Sequence, residues 1–296
     1  MLRRKFISNT VTMSMSALLP VKYINTMAYN YKLGIQLFSV NRDMNRDPIE
    51  TLKAIKTMGY EDCEVYGFDP DNVSFYGIPG MDLKNRMSEI GLTASSGHFG
   101  FASYFDQSDD KMKQFVDRCI SGAKTLELSY ITWPFLNPAH RSKENFYLLA
   151  NKLNAIGKQV TDAGLKFAYH NHGFEFENYN GINGYEIILQ ETDPDVVKLQ
   201  MDLYWVMHSS LQTPKEIIAK QPGRYVMWHI KDMDKVTRDY TELGNGSIDY
   251  MTIMPDPKIS GLEYYYLEQG GNFAFSALKS AADSALYFKK NLMKFF

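Results

Sequence analysis

Four of the six histidines in this 296-residue chain close, or lie within two residues of, a short run of apolar and β-branched residues, and several carboxylates do the same. Glu64 lies in the run 62–66, His98 ends 93–98, and His170-Asn171-His172 ends 166–170 with Glu175 just beyond. Asp202 ends 197–202, His229 lies in 225–230 ahead of Lys231 and Asp232, and Glu268 ends 264–268. Imidazole and carboxylate groups are the side chains that move protons near neutral pH and bind divalent ions. If the runs are neighbouring strands, Asp202, His229 and Glu268 aim their donors at one point, a mixture that suits Mn, Mg, Co or Zn without choosing among them. Each residue alone has an ordinary reading. A strand-end histidine is often a hydrogen-bonded scaffold residue, Asp202 can cap the segment after it, Trp133 can be core, and Glu268 can belong to a solvated loop. Their joint placement favours a site. His140 and His208 read as surface or second-layer residues.

The elements that must position these groups are short apolar strands alternating with longer amphipathic stretches. The strands are expected at 32–40, 62–66, 93–98, 130–133, 166–170, 197–202, 225–230 and 264–268. Helices are expected at 48–58 (stopped by Gly59), 110–126, through 149–160 (ended by Gly164) and at 277–293, with Ser276 as its cap. Eight strand-then-helix units without a Pro/Gly/Ser linker predict a single (β/α)8 TIM barrel over 29–296, with chemistry at the carboxyl ends of the strands. An open doubly wound sheet is the rival. It would normally carry a Gly-rich phosphate turn after strand one, where this chain has Ser39-Val40-Asn41-Arg42-Asp43.

Residues 1–28 carry Arg3, Arg4, Lys5 and Lys22, no acid, and a weak apolar run broken by Ser14, Ser16 and Pro20. This three-part form predicts an export signal, and Arg3-Arg4-Lys5-Phe6-Ile7 resembles the twin-arginine type, which places the mature chain in the periplasm. The run is too short and too interrupted for a stable membrane anchor. A disordered basic tail is the competing reading. Without these residues the chain holds 28 Lys+Arg against 34 Asp+Glu, an acidic balance that speaks against gripping a phosphate backbone and so against a nucleic-acid partner. Cys63 and Cys119 have neither CxxC nor metal spacing and read as core thiols.

With these residues in order, the chain resembles the xylose-isomerase-like TIM-barrel superfamily, in particular its sugar phosphate isomerase/epimerase members. The resemblance runs through Gly34-Ile35-Gln36-Leu37-Phe38-Ser39-Val40, Gly59-Tyr60 with Glu64, Tyr169-His170-Asn171-His172 with Glu175-Phe176, and Met201-Asp202-Leu203-Tyr204-Trp205. It continues through His229-Ile230-Lys231-Asp232, Gly244-Asn245-Gly246-Ser247-Ile248-Asp249 and Glu268-Gln269. It implies one divalent metal held by Asp202, His229, Glu268 and a fifth-strand group. The usual Glu there lines up with His170, so Glu175 is the expected fourth ligand and His172 or His170 its replacement. The superfamily's DNA-repair endonucleases place metal-binding histidines where this chain has Trp133 and Trp205, which argues against a nuclease.

The resemblance further implies proton transfer next to a carbonyl of a small sugar, through an enediolate, with Glu268 and Glu175 or His172 as bases. Glu64, His98, Trp133, His170, Trp205 and Lys231 are expected to orient the sugar. Export favours an unphosphorylated sugar or keto-sugar. A keto-sugar or keto-inositol dehydratase or lyase is the nearest enzyme alternative, and a non-catalytic periplasmic carbohydrate-binding protein the alternative from another class. Oligomeric state has no sequence signal.

Overall fold

The computed structural model describes residues 31–296, and the export signal expected at 1–28 lies outside them. Eight parallel strands close into a barrel: β1 (Gly34–Gln36), β2 (Asp62–Val65), β3 (Thr93–His98), β4 (Tyr130–Trp133), β5 (Lys166–His170), β6 (Lys198–Asp202), β7 (Met227–Ile230) and β8 (Tyr264–Leu267). Around them run α1 (Pro48–Thr57), α2 (Gly80–Ile90), α3 (Asp109–Leu126), α4 (Lys143–Asp162), α5 (Gly184–Glu191), α6 (Leu203–Ser209), α7 (Pro214–Lys220) and α8 (Ala277–Asn291). This is the single (β/α)8 barrel expected. No helix among the described residues is long and apolar enough to cross a membrane.

Local chemistry sets the boundaries. In α3, Ser108 accepts the Lys111 N–H, Asp109 and Asp110 sit at the positive end of the helix dipole, and Met112, Phe115, Val116, Cys119, Ala123 and Leu126 form the buried stripe. Ser276 caps α8 as expected by accepting from Lys279 N. Strand one is shorter than the run 32–40, because the Gln36 side chain accepts the Phe38 N–H and folds 37–40 into a 3-10 turn. Gly34 is required where β1 meets β8: a Cβ there would lie 2.3 Å from the Tyr265 carbonyl oxygen. Both cysteines are buried and free.

The core has two parts. Most buried apolar residues fill the layer between strands and helices, whereas Tyr130, Ala168, Val226, Met227 and Tyr266 form a separate cluster inside the barrel. Above that cluster the interior turns polar. Gln36 pairs in register with Glu64, Glu64 with Ser96, His170 with Gln200, and Asp202 with His229. Side chains alternate along a strand, so this register collects the polar residues on one axis.

Candidate active site

Glu64 forms the floor. It is fully buried, and its carboxylate accepts from Gln36 Nε2 (2.6 Å), Gln200 Nε2 (2.6 Å), Ser96 Oγ (2.7 Å) and His229 Nε2 (2.6 Å), with His98 Nε2 at 3.0 Å. Burial pushes its pKa up, but the His98 and His229 rings overcome this and hold it well below the carboxylate range. So enclosed, Glu64 cannot orient a sugar as expected. It orients histidines instead.

His229 bridges two carboxylates, with Nε2 on Glu64 and Nδ1 2.6 Å from Glu268 Oε2. Burial alone would lower its pKa; Glu64 and Glu268 raise it to about 9. Lys231, also buried, places Nζ 2.7 Å from Asp202 Oδ2 and 2.8 Å from Glu268 Oε2. Those carboxylates keep it above the ordinary lysine range despite burial. Burial drives Glu268 upward, yet Lys231 and His229 hold it well below the usual value, while Asp202 stays raised by burial against the pull of Lys231. Asp202 also caps α6 by accepting from Trp205 N. The capping reading of this residue holds, and the same carboxylate also faces Lys231.

The backbone around Lys231 is clamped. The Tyr250 hydroxyl accepts the Lys231 N–H at 3.2 Å and donates to its carbonyl. The Asp232 carboxylate accepts from the N–H groups of Met233, Gly244, Gly246 and Ile248, and a Cβ on Gly246 would lie 2.1 Å from Asp232 Oδ1. This explains why the motifs 229–232 and 244–249 occur together: the second ties down the first.

Two ligand-capable groups occur among the described residues, Asp202/His229/Glu268 and His98/His170/His229, each with its donor atoms within 4.8 Å of one another. The first fits a divalent ion on charge as well as spacing. Glu64, Asp202 and Glu268 carry three negative charges against Lys231 and a protonated His229, which leaves one uncompensated. Exchanging the His229 proton for a divalent ion brings these five groups to neutrality, and Glu64 would retain the other ring N–H as the orienting carboxylate of a metal-bound histidine.

Glu175, expected as ligand and base, does not join this group. Its Oε1 accepts from the Tyr169 hydroxyl at 2.7 Å and its Oε2 from His172 N at 2.9 Å, and it is fully buried. Tyr169 precedes the inward-facing His170, so strand alternation turns Glu175's partner outward, toward the helices. Burial raises the Glu175 pKa to about 8. Such a carboxyl binds its proton more tightly folded than unfolded, and the fold loses stability as pH rises from about 4.5 to about 8. Gln can accept from His172 N through its oxygen and donate its amide N–H to the Tyr169 hydroxyl oxygen, as a protonated carboxyl would, so Glu175→Gln is expected to match the parent's melting temperature at pH 5 and exceed it at pH 8. A difference that does not change with pH would contradict this.

Trp133 is likewise turned outward. Thr132 takes the inward position, and Trp133 stacks on Phe101 at 5.1 Å with Nε1 donating to the Phe135 carbonyl. The expectation that it faces a sugar is corrected; it is core. The other expected residues do gather. His98 Nε2 lies 2.7 Å from Gln200 Oε1, and His98 packs near His170 and His229 with centroids 5.0 and 5.4 Å away. His172 is half-buried 5.8 Å from the half-buried Trp205, and its pKa is lowered to about 3 by burial and then by Lys231, so it is a neutral imidazole. Gln36, Ser96 and Gln200 were not expected as site residues. Their signal is parity: Ser96 and Gln200 each sit two residues before a strand-end candidate, on the same face.

Residues 52–256 match the family model described as xylose isomerase-like TIM barrel. Inosose dehydratase of Clostridium botulinum (strain Alaska E43 / Type E3) is 30% identical over 132 residues, 38% of this chain and 43% of that protein, so the match spans less than half of that relative's length. A sugar phosphate isomerase/epimerase from Parabacteroides distasonis ATCC 8503 superposes with a TM-score of 0.77 at 24% identity, over 93% of this chain and 99% of that one. The IolI protein with a bound zinc atom superposes with a TM-score of 0.67 at 16% identity, over 90% and 99%. At such identities the superpositions establish the fold, which agrees with the family match over most of the barrel. The chain belongs to the xylose isomerase-like TIM-barrel family.

Proposed function

We propose that this chain is a metal-dependent enzyme that moves a proton on the carbon next to a carbonyl of a small sugar or keto-sugar, giving isomerisation or epimerisation. The observation that carries the reading is the placement of Glu268, the most exposed carboxylate of the cluster at 9% of its side chain, between Lys231 and His229 at the carboxyl ends of β7 and β8. A base held beside two cationic partners faces the place where substrate charge develops. A divalent ion held by Asp202, His229 and Glu268 would supply Lewis-acid polarisation of the carbonyl oxygen. Glu268 accepts the proton from the substrate carbon. Lys231 donates a hydrogen bond to the oxygen as negative charge grows on it, and neutral His172, whose Nδ1 has no partner, accepts or returns a proton from the rim. Trp205 gives the sugar C–H surface an apolar face.

A second reading uses the same first step. Loss of a β-hydroxyl after proton abstraction makes the reaction a dehydration, and the similarity to an inosose dehydratase favours it specifically. Incubation with aldoses, ketoses, keto-glycosides and keto-inositols in the presence of Mn2+, read by product NMR, separates the two. Rearranged product without loss of water supports isomerisation, an unsaturated or dehydrated product supports the lyase, and neither product from any class contradicts both.

We also propose export through the twin-arginine-like segment. Tyr31 packs its ring 6.2 Å from Tyr265 and 5.7 Å from Phe296, so a mature chain starting near Tyr29 would keep these contacts. The mature amino terminus is expected near Tyr29 in a periplasmic fraction. Intact Met1 on protein recovered from the cytosol would contradict this.

A further inference from the structure

We propose that Tyr240 is a substrate-binding residue: its ring covers Lys231 at the mouth of the site, and its hydroxyl donates a hydrogen bond to a second oxygen of the sugar, apart from the one that Lys231 faces. The inference rests on the keto-sugar reading above. Tyr240 lies on the loop after β7, in a small antiparallel sheet where it pairs with Met233. Lys231 Nζ is 5.7 Å from the centre of its ring, within the range of a cation–π contact. Lys231 is buried and Tyr240 half-buried, so the ring stands on the outer side of the ammonium.

Neighbouring loops fix the ring there. Tyr240 N donates to Asp239 Oδ1 at 2.7 Å, its carbonyl accepts from Asn272 Nδ2 at 2.9 Å, and the Tyr204 hydroxyl donates to the Arg238 carbonyl at 2.8 Å. The ring packs 5.0 Å from that of Tyr204 and 6.1 Å, nearly perpendicular, from that of Trp205. On the β8 side a Cβ on Gly270 would lie 3.1 Å from Tyr240 Cε2 and 3.3 Å from Cζ, so the bare glycine two residues after Glu268 leaves room for the hydroxyl edge. Tyr240 thus stands between Trp205, Lys231 and the loop that follows Glu268.

Packing accounts for the ring and leaves the hydroxyl without a use. The nearby Tyr204 and Tyr250 each donate to a backbone carbonyl, of Arg238 and of Lys231. Tyr240 makes its hydrogen bonds through its backbone N–H and carbonyl, and none through its hydroxyl, among the described residues. Burial raises its pKa above the ordinary phenol range, Lys231 opposes the rise, and Glu268 and Asp202 add to it. The group therefore keeps its proton at neutral pH and is a donor within electrostatic reach of the site. A polyhydroxylated substrate over Glu268 offers the acceptor, with its C–H surface against the ring.

The test is hydrogen exchange in D2O of keto-inositol, fructose and a methyl keto-glucoside by the Mn2+-loaded parent and Tyr240→Phe, with the monodeoxy analogues of each probe alongside. Tyr240→Phe keeps the ring and is expected to melt within about 2 °C of the parent. On a probe that the parent exchanges, its kcat/KM should fall about 3–10-fold, the loss of one neutral hydrogen bond. With one monodeoxy analogue, the one that lacks the contacted oxygen, parent and Tyr240→Phe should exchange at the same rate.

The inference is overturned if Tyr240→Phe exchanges the intact probe at the parent's rate, or slows that probe and every analogue by the same factor. A Tyr240→Phe chain that melts more than about 5 °C below the parent also overturns it, because the hydroxyl would then serve the fold. Failure of the functional reading looks different: a parent that exchanges none of the three probes overturns that reading and this inference with it. Exchange by the parent that Tyr240→Phe leaves untouched overturns this assignment alone.

Discussion

Replacing Glu64 by Ala is expected to lower the melting temperature of the metal-free chain by about 6–20 °C. The side chain accepts four hydrogen bonds in the barrel interior, from Gln36, Ser96, Gln200 and His229, and lies 3.0 Å from His98. Its removal leaves those donors facing a void and the His229 proton opposite nothing. Breaking a buried charged pair by removing one partner costs about 3–5 kcal/mol, and about 2–4 °C accompanies each kcal/mol in a domain of this size. Glu64→Gln keeps the volume but offers one acceptor oxygen in place of two, so its loss should be intermediate. Calorimetry decides. A shift of 2 °C or less for Glu64→Ala would mean that the floor of the site is not the network described.

The second large effect concerns Glu268. Its carboxylate touches Lys231 Nζ and His229 Nδ1 and is the proposed acceptor of the substrate proton. Glu268→Gln keeps the shape while removing the charge and the base, so exchange of the substrate hydrogen should fall about 10²–10⁴-fold on whichever keto-sugar the parent accepts. Lys231→Met should also slow exchange. His172→Gln should affect one direction of proton delivery more than the other. If Glu268→Gln exchanges at the parent's rate while Lys231→Met does not, the base lies elsewhere on the rim.

Much of the site is legible in the sequence because a parallel barrel strand has a simple grammar: an apolar run buried on both faces, then a polar residue at its carboxyl end. Asp202, His229 and Glu268 follow that rule, and the structure brings them together. Trp133 and Glu175 escape it for one reason. Strand-end position does not reveal parity, and a one-residue shift carries a side chain from the barrel axis to the helix layer. Thr132 faces in and Trp133 out; His170 faces in and Tyr169, with its partner Glu175, out. The floor built from Gln36, Ser96 and Gln200 is hidden for a different reason. Amides and hydroxyls carry no charge to attract notice, and their importance comes from a shared partner, Glu64, that lies up to 136 positions away. The small antiparallel sheets at 68–79, 178–183 and 232–241 have strands too short for a periodicity of their own.

Deuterium exchange tests the central claim most directly. An enzyme that removes the proton next to a carbonyl labilises that C–H bond even when no net conversion is visible. The purified chain, loaded with Mn2+ or Zn2+ and incubated in D2O with a panel of keto-sugars and keto-inositols, is expected to place deuterium on the carbon next to the carbonyl of at least one of them, as read by NMR. Tight binding of such a sugar with neither exchange nor elimination would contradict the proposed chemistry and point to a binding protein built on the same barrel.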